Sequence, residues 1–169
     1  VNAGNTPYNI AIEPSGNYAY VTNSGDGTVS MYKICQYLRL DGVLPCTAGT
    51  LSPLYMEGTT NNTVLVEASN SNPRQISANK STVYVVSGSG KVYQFTIGAD
   101  GTLTANSTAY VDSGAGSVGL VLTGPSPSFA LTINSSQLLA NSISASGLGS
   151  SFTGVNTGKT PGVVVGAYR

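Results

Sequence analysis

Histidine is absent from this 169-residue chain. Without it there is no Ser-His-Asp triad, no Cys-His pair and no histidine-ligated metal. Charge is scarce as well. Seven Lys and Arg balance seven Asp and Glu, and charged residues make up 8% of the chain, against about 25% in an ordinary globular domain. Such a neutral surface excludes nucleic acid as a partner, because phosphate binding needs clustered Lys and Arg. It also offers no electrostatic attraction to an anionic membrane. Long apolar runs are missing too. Stretches such as residues 162–166 have strand length, far below the ~20 residues of a spanning helix, so no membrane insertion is expected.

Cysteine is limited to Cys35 and Cys46, eleven positions apart. With no third cysteine and no histidine, zinc binding has no ligand set. Two buried free thiols are one reading. A disulfide across a long hairpin fits the secreted composition better, and closing such a loop would stabilise by roughly 3 kcal/mol. The chain starts at Val1 without an apolar leader, as a secreted precursor with its signal removed would, or a fragment of a longer chain.

What the chain has in quantity is polarity without charge: forty Ser and Thr and fourteen Asn. It also has internal repetition. Residues 7–34 read as three strands divided by the turn signals Pro14-Ser15-Gly16-Asn17 and Asn23-Ser24-Gly25-Asp26-Gly27. The pattern returns from Pro73. Ile10 recurs as Ile76, Tyr20-Val21 as Tyr84-Val85, and Gly27, Val29, Tyr32 and Ile34 as Gly90, Val92, Phe95 and Ile97. Each copy then reaches Asp-Gly-x-Leu, at Asp41 and at Asp100. Phe129-Ala130-Leu131-Thr132-Ile133-Asn134 starts a third, more divergent copy. Residues 155–161 match residues 1–7 at five of seven positions and open a fourth.

Short strands, many Gly and Ser turns and no helical periodicity give an all-β fold. Repeats of four strands, mostly near 40–45 residues, have the spacing of propeller blades. The expected architecture is a single β-propeller-like domain of four-stranded antiparallel sheets. It has about three blades (residues 4–67, 68–111 and 112–154) and one extra C-terminal strand (155–169).

Residues 4–34, above all Tyr20-Val21-Thr22-Asn23 with Gly27-Thr28-Val29-Ser30, resemble the Y-V-T-N β-propeller repeats of surface-layer proteins and lactonase-like seven-bladed propellers. The resemblance implies fold and a surface location more than activity. Its lactonase branch implies a sugar-lactone hydrolase, but none of that branch's functional residues carries over onto this chain.

Propellers close at four to eight blades, so three blades leave faces uncovered. The chain is a piece of a longer protein, an irregular closed β-domain, or one whose copies complete each other. In the last case Gly162, Val163, Val164, Val165, Gly166 and Ala167 form an assembly strand that pairs with the next subunit, giving a head-to-tail homopolymer.

The carboxylates Glu13, Asp26, Asp41, Glu57, Glu67, Asp100 and Asp112 fall mostly in turns, where they bond their own backbone. Asn23, Asp26 and Gly27 lack the spacing of a calcium loop. Ser87-Gly88-Ser89-Gly90-Lys91 opens no helix and reads as a hairpin turn, not a phosphate loop. No catalytic residue, metal ligand or cofactor is expected, and the chain is read as a non-enzyme. Asn-x-Ser/Thr occurs at Asn61, Asn79, Asn106 and Asn134, four candidate sites for covalent glycans. The expected function is that of an extracellular or cell-surface structural subunit of a surface layer or filament. The alternative is a lactonase-like or ligand-binding propeller, for which Tyr8, Tyr37, Arg39, Tyr55, Arg74 and Tyr110 are the candidate ligand contacts.

Overall fold

The computed structural model describes residues 1–36, 46–66, 72–123, 129–144 and 147–156, the last seven of these as backbone alone. Among the described residues there is no helix. Strands β1 (Pro7–Ile12), β2 (Tyr18–Asn23), β3 (Thr28–Ile34), β4 (Leu51–Pro53) and β5 (Thr63–Leu65) form a first sheet. A second holds β6 (Pro73–Ala78), β7 (Thr82–Ser87), β8 (Lys91–Ile97) and β9 (Leu103–Asp112). A third holds β10 (Gly119–Leu122), β11 (Phe129–Ile133), β12 (Gln137–Ser144) and β13 (Gly147–Asn156). All neighbours are antiparallel and, apart from β5 on β3, in sequence order. The three sheets have the expected architecture of four-stranded antiparallel blades, and residues 155–156, expected in the extra C-terminal strand, belong to β13 of the third sheet. The strand at residues 162–167 lies outside the described residues.

The first sheet has one strand too many because its outer strand is interrupted. β4 pairs with residues 32–34 of β3 and β5 with residues 28–30. Between them the chain leaves the sheet and returns. Leu54 N–H donates to Met31 O (3.0 Å), and Met31 N–H to Asn62 O (2.9 Å). The polar residues 57–62 therefore belong to an excursion from an otherwise ordinary fourth strand. The insertion between β3 and β4 begins and ends in hairpin pairing, with Cys35 N–H on Thr50 O and Gly49 N–H on Cys35 O, both 2.9 Å. Cys35 and Cys46 are joined by a disulfide, their Cα atoms 6.1 Å apart.

Period-two alternation explains how the sheets stack, since successive strand residues point to opposite faces. In β7, Val83 and Val85 join Tyr20, Val29 and Met31 of the first sheet, together with Ile76, Tyr93 and Phe95, in one apolar core. Tyr84 and Val86 point the other way. With Val92 they meet Leu120, Leu122, Ala130 and Leu148 of the third sheet in a second core. The middle blade is thus apolar on both faces.

Two tyrosines of β2 add polar fixings to this packing. Tyr20 is fully buried and its phenol donates to Gly101 O at 2.9 Å, while Tyr18 donates to Ala99 O at 3.2 Å. Burial, helped by the charge of Glu13, holds the Tyr20 phenol far above its ordinary range, so it stays a neutral donor. Gly101 has φ of 87°, and a Cβ there would stand 2.3 Å from the Tyr18 ring. Glycine is what lets the β8–β9 turn sit under that ring.

Candidate functional site

The first strands β1, β6 and β10 lie side by side, with β6 in the middle. The segments that lead into them gather at one end of the sheets. Each is pinned to a β2–β3-type turn. Ser24 N–H (2.9 Å) and Ser24 Oγ (3.0 Å) donate to Thr6 O, and Gly25 N–H donates to Asn5 O. Gly88 N–H donates to Asn72 O (3.1 Å), and Ser113 N–H to Gly90 O (2.7 Å). Thr6 (φ 51°) and Asn72 (φ 41°) are the non-glycine residues with positive φ among the described residues, and each directly precedes a proline. Positive φ costs a side-chain-bearing residue about 1–3 kcal/mol, and a following proline favours extended backbone. The same strain is therefore held at the same repeat position in two blades. The third connector turns on Gly114 and Gly116 instead.

Polar side chains converge just inside these strained corners. Asn9 Nδ2 donates to Gln75 Oε1, tying β1 to β6. Thr22 Oγ1 donates to Arg74 O at 2.8 Å. Asn23, fully buried, donates to Thr28 Oγ1 (2.9 Å) and Ser30 Oγ (2.8 Å) and accepts from Gly4 N–H (3.1 Å). Asp26 accepts from Asn5 N–H. Arg74 is half-buried, and its guanidinium has no partner among the described residues. A Cβ on Gly88 would stand 3.5 Å from both Arg74 Nε and Asn72 Nδ2, so the two donors flank one corner. The arrangement can hold a small ligand rich in oxygen acceptors, with one cation available to an anionic group.

The opposite end of the sheets carries a cleft of about 530 Å³ lined by Glu13, Pro14, Ser15, Tyr18, Lys80, Ile97 and Gly98. Its carboxylate is already committed. Glu13 accepts the backbone N–H groups of Ser15 (2.7 Å), Asn17 (2.8 Å) and Tyr18 (3.2 Å) and the Ser15 hydroxyl. Burial alone would raise its pKa, but these hydrogen bonds outweigh it and hold the group below the ordinary carboxylate value. Glu13 builds the β1–β2 turn. Asp100 is likewise held low by the hydroxyl and N–H of Thr102. Among the described residues no group of three Asp, Glu, Cys or His could hold a metal.

Of the six sequence candidates for ligand contact, Tyr8 and Arg74 share the connector end, each following the proline that opens its strand. Tyr8 is 56% exposed beside a depression of about 280 Å³ formed with Pro7, Asn9, Ile10 and Val21. Tyr55 stands exposed on the outer excursion. Tyr110 lies on outer strand β9, with Lys91 Nζ 4.2 Å from its ring centroid and Tyr93 5.5 Å away. Tyr37 and Arg39 lie outside the described residues. Thr6, Asn72, Asn9 and Gln75 escaped sequence reasoning. Their signal was the recurrence of Thr-Pro and Asn-Pro at matching repeat positions.

Sequential four-stranded antiparallel sheets, stacked face to face with their first strands adjacent and their connectors at one end, define a β-propeller sector. Known structures agree. The chain is similar to a protein from Bacteroides fragilis inferred to be a 6-phosphogluconolactonase, with a TM-score of 0.69 and 19% identity over 90% of this chain and 40% of that one. It is similar to the periplasmic gluconolactonase of Pseudomonas aeruginosa, with a TM-score of 0.67 and 17% identity over 91% and 40%. A protein from Lactobacillus plantarum gives 0.62 and 22% over 89% and 42%. At these identities the likeness is one of fold, and the chain spans about two fifths of the length of these structures. No protein-family model matches the chain, and no curated relative does.

These likenesses overturn the expectation of a non-enzyme, which rested on the missing histidine and the lack of an acidic cluster. One of the propellers with this fold is a gluconolactonase by name, and another is inferred to be a 6-phosphogluconolactonase. The physical reason is that a lactone is already an activated ester. Its opening needs a positioned water and a polarised carbonyl, and neither demands a histidine triad.

Proposed function

We propose that this chain is a sector of a lactonase-like β-propeller, of the Y-V-T-N repeat kind, that binds a sugar lactone at the connector end of its first strands. The observation that carries this is the fold likeness to a periplasmic gluconolactonase and to a protein inferred to be a 6-phosphogluconolactonase. Supporting it are the paired strained corners at Thr6 and Asn72 and the polar groups of Asn9, Gln75 and Arg74 beside them. Amide side chains suit sugar hydroxyls. A guanidinium with no partner among the described residues suits a phosphate or carboxylate on the same sugar. The disulfide between Cys35 and Cys46 fits an oxidising compartment outside the cytoplasm.

The structural reading, a surface-layer or filament subunit joined by strand exchange, has one observation on its side. Ile10 and Ile12, on the face of the first blade turned away from the second, are 53% and 57% exposed. An apolar face of this kind takes a partner. A neighbouring blade of a lactonase-like ring fills that role as well, and the fold likeness favours it.

Titrating acid release at constant pH, with gluconolactone and its 6-phosphate as substrates of the full protein, tests the proposal. Hydrolysis faster than in buffer is expected. Arg74→Gln should raise KM for the phosphorylated lactone about tenfold or more, the loss of a charge-assisted hydrogen bond, and leave the neutral lactone nearly unchanged. A rate equal to buffer for both substrates would overturn the reading.

A further inference from the structure

Four Asn-x-Ser/Thr triplets are equivalent as sequence, but the fold treats them differently. We infer that Asn61 is an N-glycan acceptor of this protein and that Asn134 is not one. Asn61 lies at the end of the excursion between β4 and β5, on the outer rim of the first blade and at its far edge from β1. Its backbone is fixed. Met56 N–H donates to Asn61 O (3.3 Å), and Asn61 N–H donates to Thr59 Oγ1 (3.2 Å). Its side chain is oriented by the third residue of its own triplet: Thr63 N–H (3.0 Å) and Thr63 Oγ1 (2.7 Å) both donate to Asn61 Oδ1. The carbonyl half of the amide is thereby turned inward. Nδ2, the atom that would carry the sugar, has no partner among the described residues, and Asn61 is exposed.

The other three are obstructed to different degrees. Asn134 is 6% exposed. Its Nδ2 donates to Ser113 O (3.2 Å), and its Oδ1 accepts from Ser136 N–H (3.0 Å) and Gln137 N–H (2.9 Å). A glycan there would break the tie between the third connector and the β11–β12 turn and has no space to occupy. Asn79 and Asn106 are half-buried and line one cleft of about 190 Å³ between the second and third blades, where substituents on both would collide. Asn79 Nδ2 lies 3.5 Å from the Tyr84 hydroxyl, and Thr96 Oγ1 donates to Asn106 Oδ1 at 2.6 Å.

The ligand class is an oligosaccharide activated as a lipid-linked pyrophosphate. The bond between Asn61 Nδ2 and sugar C1 forms, the bond from C1 to the pyrophosphate oxygen breaks, and Nδ2 gives up one proton. In a chain with 8% charged residues, a glycan at the rim supplies hydration that charge does not. It stays clear of the blade-to-blade cores and of the connector end.

Glycopeptide mass spectrometry of the protein purified from its native host tests the inference. A glycan mass on the peptide containing Asn61 is expected, with none on the peptide containing Asn134. Asn61→Gln and Thr63→Ala should each remove that mass, and Thr63→Ser should keep it. If Thr63→Ala disturbs the excursion, Asn61→Gln still reads the site. An unmodified Asn61 peptide, or a glycan on Asn134, overturns the inference. Lactone hydrolysis is not an arm of this experiment, so its outcome is independent of the proposed activity.

Discussion

Glu13 and Gln94 are two polar side chains that fix the backbone around them. Glu13 gathers three backbone N–H groups and a hydroxyl in the β1–β2 turn. Its pKa is lowered by folding, so its contribution to stability is present above the ordinary carboxylate range and is lost as pH falls through it. Melting temperature measured from pH 7 down to pH 3 should therefore fall below about pH 4.5, a carboxylate's ordinary pKa. Glu13→Gln should remove part of that fall and destabilise at neutral pH by about 1–3 kcal/mol, because a neutral amide cannot satisfy the same donors as well. Gln94 is fully buried between the second and third blades. Its Oε1 accepts Leu148 N–H at 2.6 Å and its Nε2 donates to Thr108 O at 3.2 Å. Gln94→Leu leaves both backbone groups unpaired, and chemical denaturation should show a loss of about 2–4 kcal/mol.

At the scale of elements, strands in repeat copies were legible and interruptions in them were not. Tyr20-Val21 and Tyr84-Val85 marked β2 and β7, and Gly27 and Gly90 marked the turns before β3 and β8, because alternation and turn chemistry are local signals. The split of one outer strand into β4 and β5 was invisible. It depends on which residues of β3 each half meets, and that is a long-range fact. The bulge in β9, where residues 106–109 stand opposite Gln94, was hidden for the same reason. The strained corners at Thr6 and Asn72 were written in the sequence as residues before proline, but one such pair reads as an ordinary turn until the fold brings two into register. The disulfide belongs to this scale too. Cys35→Ser with Cys46→Ser should lower stability by about 2–3 kcal/mol, the cost of freeing a loop with a separation of 11. Pairing of β1, β2 and β3 should persist by hydrogen exchange, since the loop is an insertion and not part of the ladder.

Across the whole molecule, the most informative comparison is between equivalent faces. Ile76 on β6 pairs with Val85 and is 6% exposed against the first blade. Ile10 on β1 pairs with Val21 in the matching register, and it is 53% exposed. The first blade thus presents to solvent the same surface that the second blade buries. If another blade covers it in the native protein, Ile10→Glu with Ile12→Glu should destabilise that protein by about 2–4 kcal/mol, charge having been placed in an apolar interface. An unchanged melting temperature would mean that the face is free. A crystal structure of the native protein grown with gluconate, the product of the proposed reaction, tests the account most directly. The account predicts gluconate at the connector end beside Asn9, Gln75 and Arg74, with Ile10 and Ile12 buried as deeply as Ile76. Gluconate bound elsewhere or not at all, with those isoleucines facing solvent, would contradict it.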